Sequence, residues 1–325
     1  MQTNAKAWGP CLLAGWLTVF STAVAAAYPD RPIRLVMPAP PGGTLDALMR
    51  SVGKAVGEIL GQPLIMDYRP GAAGMVSLQE VAKSQPDGYT LGLALNAMVI
   101  TPLVQKSGST LDLSKDVDPI SLVASGPMVL FTGPSVQEPD LKSFFDHAKT
   151  HQGDIFYGSS GVGGPGHLLT ELMARQAGVH WTHVPFKGQN PQLTALLAGD
   201  VHLMVTTVSD TVMQYVASGK IKAMAVTTLE ASPVVPGVPP LSSVLPGFDY
   251  SVWFGMVAAK GTPPAVAQRL QLAFAQALQQ PELRASVARL GLVAKSSTQR
   301  EFADTVARES ALWRRTLKDM NITSE

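Results

Sequence analysis

Cysteine is nearly missing from this chain: the single one, Cys11, falls within the first 27 residues. Once that segment is removed, no disulfide and no thiolate metal site can form. Charge is sparse, at 15% of residues, and neither sign dominates, the formal net charge being +1. That balance excludes a basic face for nucleic acid or for an anionic membrane surface. An anionic ligand must be held by local geometry and not by a global field. Aromatic residues make up only 6%, and no internal repeat or low-complexity segment is visible. His147, His151, His180 and His183 are not paired at metal-ligand spacing, so neither a metal nor a cofactor is expected.

What is present begins with an export pattern. Lys6 is the only charge before an apolar run from Cys11 to Ala25, and Ala25-Ala26-Ala27 then precedes Tyr28-Pro29-Asp30. The run has about 15 residues, short of the ~20 that span a bilayer. The layout is that of a secretory signal peptide over residues 1–27, cleaved after Ala27 or Ala25; a membrane anchor is the alternative. The 325 residues, 46% of them hydrophobic, suffice for two modest domains with their own cores.

The chain is organised around the stretch from Leu35 to Arg50. A short apolar run, Ile33 to Met37, reads as a buried strand, breaks at Pro38-Ala39-Pro40-Pro41-Gly42-Gly43, and resumes as a helix at Leu45, Leu48, Met49 and Val52. A glycine corner at a helix start leaves backbone N–H groups unpaired, and the helix dipole adds partial positive charge there. Such a corner suits a carboxylate or phosphate. It also suits an ordinary tight turn whose N–H groups are capped by Thr44, Asp46 or water.

Strands and helices then alternate, with strands at 64–66 and 89–95 and glycine or turn corners at 68–74 and 96–101. This spacing predicts α/β units on a largely parallel sheet, with ligands gathering beyond the carboxyl ends of the strands. A second lobe follows a crossing strand at 120–132. It carries its own corner, Gly158-Ser159-Ser160-Gly161-Val162-Gly163-Gly164-Pro165-Gly166-His167, before a helix at 168–177. Strands at 181–185 and 201–205 end at Lys187-Gly188 and Thr206-Thr207. A second crossing at 250–258 returns the chain to helices ending with an amphipathic one over 298–320, whose Phe302, Val306, Leu312, Trp313 and Leu317 face the core. The expected domains are 28–125 with 251–325, and 126–250, joined by a two-strand hinge around a cleft.

Other chemistries fit less of the chain. Residues 161–166 match G-x-G-x-x-G, but the next strand ends at Pro185-Phe186-Lys187 without the acid that a dinucleotide site needs. Ser160 and His167 lie close together, which keeps a secreted hydrolase open, yet no G-x-S-x-G elbow exists and no paired carboxylates line the corners. His167 sits where it can brace its loop.

The run Tyr28-Pro29-Asp30-Arg31-Pro32-Ile33, followed by Pro38-Ala39-Pro40-Pro41-Gly42-Gly43 and Asp46, resembles the opening of Bug-type receptors, the periplasmic solute-binding proteins of tripartite tricarboxylate transporters. Arg69-Pro70-Gly71-Ala72, Pro86-Asp87-Gly88-Tyr89-Thr90, His183-Val184-Pro185-Phe186-Lys187-Gly188, Trp253-Phe254-Gly255 and Gly261-Thr262-Pro263 extend the match along the mature chain. The resemblance implies a type II periplasmic-binding-protein fold, a monomeric and non-enzymatic receptor that closes on a small carboxylate and delivers it to two membrane subunits. A sensor for a membrane kinase would look the same in sequence. By the same resemblance, one carboxylate is held by Ala39, Pro41, Gly42, Gly43 and Thr44 with Ser159, Ser160, Gly161, Val162 and Gly163, and His167 stands behind them. The far end of the ligand meets Asn96, Ala97, Lys187, Gly188, Thr206 and Thr207. Ala39 stands where the family often has an aromatic residue, Thr206 where it often has an acid, and Met75 where it usually has a small or polar one. These departures predict a ligand without an ammonium group, a neutral-bodied or aromatic mono- or dicarboxylate and not aspartate.

Overall fold

The computed structural model describes residues 28–104 and 111–320. The signal-peptide reading over 1–27, with Cys11, lies outside the described residues. The fold is α/β, ordered around one continuous set of hydrogen-bonded strands, β2-β1-β3-β9-β4-β7-β5-β6. The first three are β1 (Ile33–Met37), β2 (Leu64–Tyr68) and β3 (Thr90–Leu95), with β1 parallel to both neighbours. A second parallel trio is formed by β5 (Phe156–Ser159), β6 (Thr182–Pro185) and β7 (Leu203–Thr207). Between the trios run the two long crossing strands, β4 (Val117–Thr132) and β9 (Ser251–Ala259), antiparallel to each other.

β4 belongs to both halves of the sheet. Its first part pairs with β9 on one side and with the short β10 (Val293–Ala294) on the other. Its last part pairs with β7 and β8 (Lys222–Val226). The register shifts between Pro119 and Ser121, between Leu122 and Ala124, and again between Leu130 and Phe131, places where a strand bends and twists. Burial is nearly continuous along β4, as expected for a strand covered on both faces.

Helices cover the sheet. In the first half, α1 (Thr44–Leu60) and α8 (Pro264–Ala277) share a core with β1 and β3, including Leu48, Val52, Leu91 and Phe274. Gly255 on β9 makes room for the ring of Phe302 on α10 (Gln299–Met320); a Cβ there would lie 2.2 Å from the ring. In the second half, α5 (Pro165–Ala177) packs so closely on β7 that a Cβ on Gly166 would lie 2.5 Å from the Val205 carbonyl oxygen. One core cluster joins α5 and β7 residues with Ile100 and Val104 of α3 (Asn96–Val104) and with Trp313 and Leu317 of α10. Both of these helices therefore reach from the first half into the core of the second.

Element edges move slightly from the sequence expectation. β7 begins at Leu203 and runs through Thr206 and Thr207, which pair with Val129 and Met128 and are not a loop beyond the strand. Both are β-branched and fit a pleated position. α6 (Gln189–Ala198) starts two residues before Pro191, because Gly188 at φ +103° turns the chain into the helix. α3 begins at Asn96 itself, directly after β3, where the sequence suggested a strand-end loop.

Candidate functional site

The carboxyl ends of β1, β2 and β3 and those of β5, β6 and β7 carry the loops where a parallel sheet collects ligands. The first corner follows β1. Gly42 adopts φ +89°, a conformation that a residue without Cβ reaches freely, and Gly43 is the N-cap of α1 with no side-chain cap. Nothing lies within 4 Å of a Cβ built on either glycine, so the corner faces open space. Ala39 is half-buried, whereas Pro41, Gly42, Gly43 and Thr44 are exposed.

Asp46 holds this corner in shape. Its buried carboxylate accepts the Gly42 N–H at 2.8 Å and the Tyr68 hydroxyl at 2.6 Å, with Arg50 Nε 3.0 Å away. The Tyr68 hydrogen bond, then the Gly42 N–H, lower its pKa to about 2. The self-capping alternative is thus realised for one donor, since the Gly42 N–H is spent on Asp46. Gly43 as an uncapped N-cap leaves the first-turn N–H groups behind it as the donors a ligand would meet.

The second corner follows β5 and is built from neutral groups. Ser159 is fully buried; its hydroxyl donates to Gly161 O at 3.0 Å and accepts the Gly161 N–H at 3.2 Å. His183 Nε2 lies 2.7 Å from the same oxygen. His167 Nδ1 accepts the Gly163 N–H at 3.0 Å, which places its ring proton on Nε2. The His183 ring stacks against both His167 and Tyr157, with centroids 4.0 and 4.8 Å away. Burial lowers the pKa of His167 to about 4, with the neighbouring His183 adding to the effect, and burial lowers that of His183 too. Gly161 and Gly163 both have positive φ, and Gly164 caps α5 without a side-chain bond. Ser160 and Val162 stay exposed at the tip.

The two corners flank one helix. A Cβ on Gly74 would lie 3.4 Å from Pro38 of the first corner and 2.6 Å from Met98 Cε of α3. A Cβ on Gly163 of the second corner would lie 3.6 Å from Val104, also on α3. Met98 and Val104 are separated by about 9 Å of helix rise. Pro38 of the first corner and Gly163 of the second therefore lie near opposite ends of the same short helix.

The remaining expected residues divide. Lys187 is exposed beside the second corner, because the Gly188 N–H donates to Ser160 O at 3.3 Å. Thr206 is buried and its hydroxyl accepts Gln189 Nε2 at 3.0 Å; Gln189 also reaches Thr207 O at 3.4 Å. Gln189 was not anticipated, and only the start of α6 at Gly188 reveals it. Ala97 is half-buried on the first turn of α3. The side chain of Asn96 points elsewhere: its amide donates to both oxygens of Glu309, at 2.8 and 2.9 Å, and its oxygen accepts the Trp253 N–H at 2.6 Å. That side chain is engaged in an internal network, which leaves the backbone of Asn96 as the part that a ligand would meet. A groove of about 780 Å³ between α1 and β2 lies along the outer edge of the sheet and includes Lys54, Glu58 and Ile65, but neither glycine corner opens into it.

The family model described as "Tripartite tricarboxylate transporter family receptor" matches residues 48–322. The protein BugT of Bordetella pertussis is 31% identical over 288 residues, covering 88% of this chain and 88% of its own length. A Rhodopseudomonas palustris protein solved with adipate superposes with a TM-score of 0.76 at 29% identity, covering 91% of this chain and 99% of that one. MatC from the same organism, solved with bound malate, superposes with a TM-score of 0.71 at 28% identity, over 89% of this chain and 100% of that one.

Proposed function

The chain belongs to the family of tripartite tricarboxylate transporter receptors, and from that premise we propose that it captures a small carboxylate between two lobes in the periplasm. The lobes are residues 28–125 with 251–325, and residues 126–250, and the leader over 1–27 is removed on export. The loaded protein, a monomer, delivers its ligand to two membrane subunits of a tripartite transporter. The observation that supports this reading is that two corners, each ending in a glycine N-cap without a side-chain cap (Gly43 and Gly164), approach one helix, α3, the first by way of Pro38 and the second by way of Gly163. Each supplies backbone N–H donors and a helix dipole to one anion. Charge-assisted hydrogen bonds worth roughly 1.5–3 kcal/mol each make micromolar binding accessible from a few of them.

The far end of the ligand is a second carboxylate or an uncharged body. Lys187 is exposed beside Ser160 and supplies the positive charge, while Thr206 and its partner Gln189 offer no anion to an ammonium group. The relatives solved with adipate and malate support a dicarboxylate. Catalysis is not part of the proposal. Ser160 is exposed, and His167 accepts a backbone N–H instead of facing a nucleophile. Ser159 is fully buried, with its hydroxyl tied to the Gly161 backbone. Calorimetric titration of the mature protein with adipate, malate, an aromatic carboxylate and aspartate tests the reading. Saturable binding of an unchanged carboxylate with weak aspartate binding is expected; turnover, or aspartate binding tighter than the dicarboxylates, would overturn it.

A further inference from the structure

A buried carboxylate that the binding site does not use lies where the two halves meet. Glu309, on α10, is 7% exposed and has no cation beside it among its hydrogen-bond partners. Its charge is met by neutral donors from three segments. Asn96 donates to both oxygens from the head of α3. The Tyr250 hydroxyl, at 2.9 Å, and the Trp253 indole N–H donate from the second crossing. Trp313 Nε1 donates at 3.2 Å from one turn further along α10. Burial raises the Glu309 pKa, and the hydrogen bonds from Asn96, Trp253, Tyr250 and Trp313 oppose that rise. An apolar side chain would fill this volume without the desolvation cost, so packing alone does not call for an acid here.

What the acid does is fix one amide. β3 ends its pairing with β9 at Leu95 opposite Phe254, and the next N–H of β9, that of Trp253, is taken by the side-chain oxygen of Asn96. Asn96 thus extends the ladder with its side chain while its backbone starts α3. The NH2 group of the same amide donates to Glu309, with the Ser251 carbonyl oxygen, at 3.4 Å, as a longer second acceptor. Eight residues along the helix, Val104 meets Gly163 of the second corner.

We propose that Glu309 is a positioning residue for the second corner: by orienting Asn96 at the head of α3, it sets where the far end of that helix supports the Gly161–Gly164 turn. The consequence for ligand capture rests on the proposed function, but the coupling itself is a property of the ligand-free protein and is tested without any ligand.

The test is hydrogen–deuterium exchange of the ligand-free mature protein and its Glu309→Gln variant at neutral pH. Glutamine keeps the shape but turns one acceptor into a donor facing Asn96 or Trp253. Exchange is expected to accelerate about tenfold in residues 96–104 and also in residues 161–167, while β1 and α1 keep their protection. Faster exchange in 96–104 with residues 161–167 unchanged would reduce Glu309 to local packing and overturn the proposal, as would no change in either segment. Should Glu309→Gln lose protection everywhere, Tyr250→Phe decides, because it removes only one hydroxyl donor from the same carboxylate. It is expected to accelerate both segments by roughly threefold. Acceleration confined to residues around Tyr250 would overturn the proposal.

Discussion

The two glycine corners have the same backbone plan and are held by opposite chemistry. The first is braced by ions: Asp46 occupies the Gly42 N–H and is itself tied to Tyr68 and Arg50. The second is braced by neutral groups, the Ser159 hydroxyl and two stacked imidazoles. The first therefore carries a built-in anion that occupies one of its own donors, whereas the second keeps its ring nitrogens uncharged and buries them. The contrast shows that a strand–glycine–helix plan does not dictate its own support. Whichever side chains reach the loop from the neighbouring strand decide it, Tyr68 from β2 in one case and His183 from β6 in the other.

The strongest way to break the comparison is to add one methyl group to each corner's helix. Gly166→Ala drives a Cβ against the Val205 carbonyl, a backbone atom that cannot swing aside, and should destabilise the protein by ~3 kcal/mol in urea unfolding. Gly43→Ala meets only open space and should stay within about 1 kcal/mol of the parent. Its effect should appear instead as a tenfold or greater loss of carboxylate affinity by calorimetry, because the methyl group stands where a ligand would approach.

Acid separates the corners next. His167 is held near 4 against an ordinary value of 6.5, so the unfolded chain binds a proton before the folded one does. Stability should then fall as pH drops from about 6.5 towards 4, by up to ~3 kcal/mol for this residue, with His183 adding in the same direction. Thermal unfolding across that range should show the slope, and His167→Gln should flatten it. Asp46 behaves differently. Its pKa is lowered from 3.8 to about 2, so its contribution is complete above 3.8 and is lost only below that. Asp46→Asn should leave the pH 4–6.5 slope untouched.

The smallest expected effect sharpens the first corner alone. Tyr68→Phe removes the hydrogen bond that does most to lower the Asp46 pKa, and should lower stability only slightly while moving that pKa back towards its ordinary value. Proton NMR of the Asp46 carboxyl titration would read the shift; an unchanged titration would mean that the Gly42 N–H and Arg50 suffice.

Much of this architecture is visible in the residues. Apolar runs bounded by Pro and Gly announce β1, β5 and their corners, and the two long apolar crossings at β4 and β9 lie where the hydropathy places them. What stays hidden depends on register and on partners distant in sequence. The link between Ser159 and His183 needs β5 and β6 side by side, and no local pattern reveals which strands pair. Glu309 left a trace that went unread. It falls between Phe302, Val306 and Trp313 on the buried face of α10, at the i+3 and i+4 spacing that marks a core position. An acid on such a face implies that donors converge on it from elsewhere. Thr206 shows the reverse case: its place at the end of β7 is legible, but its partner Gln189 depends on where α6 begins.

β4 has one more consequence. Its 16 residues form a single ribbon roughly 50 Å long that is stitched into both halves of the sheet. A ribbon of that kind yields to bending and twisting at its three register shifts but hardly stretches. Any rearrangement of the halves is confined to tilt and rotation about that ribbon, with their spacing along it preserved.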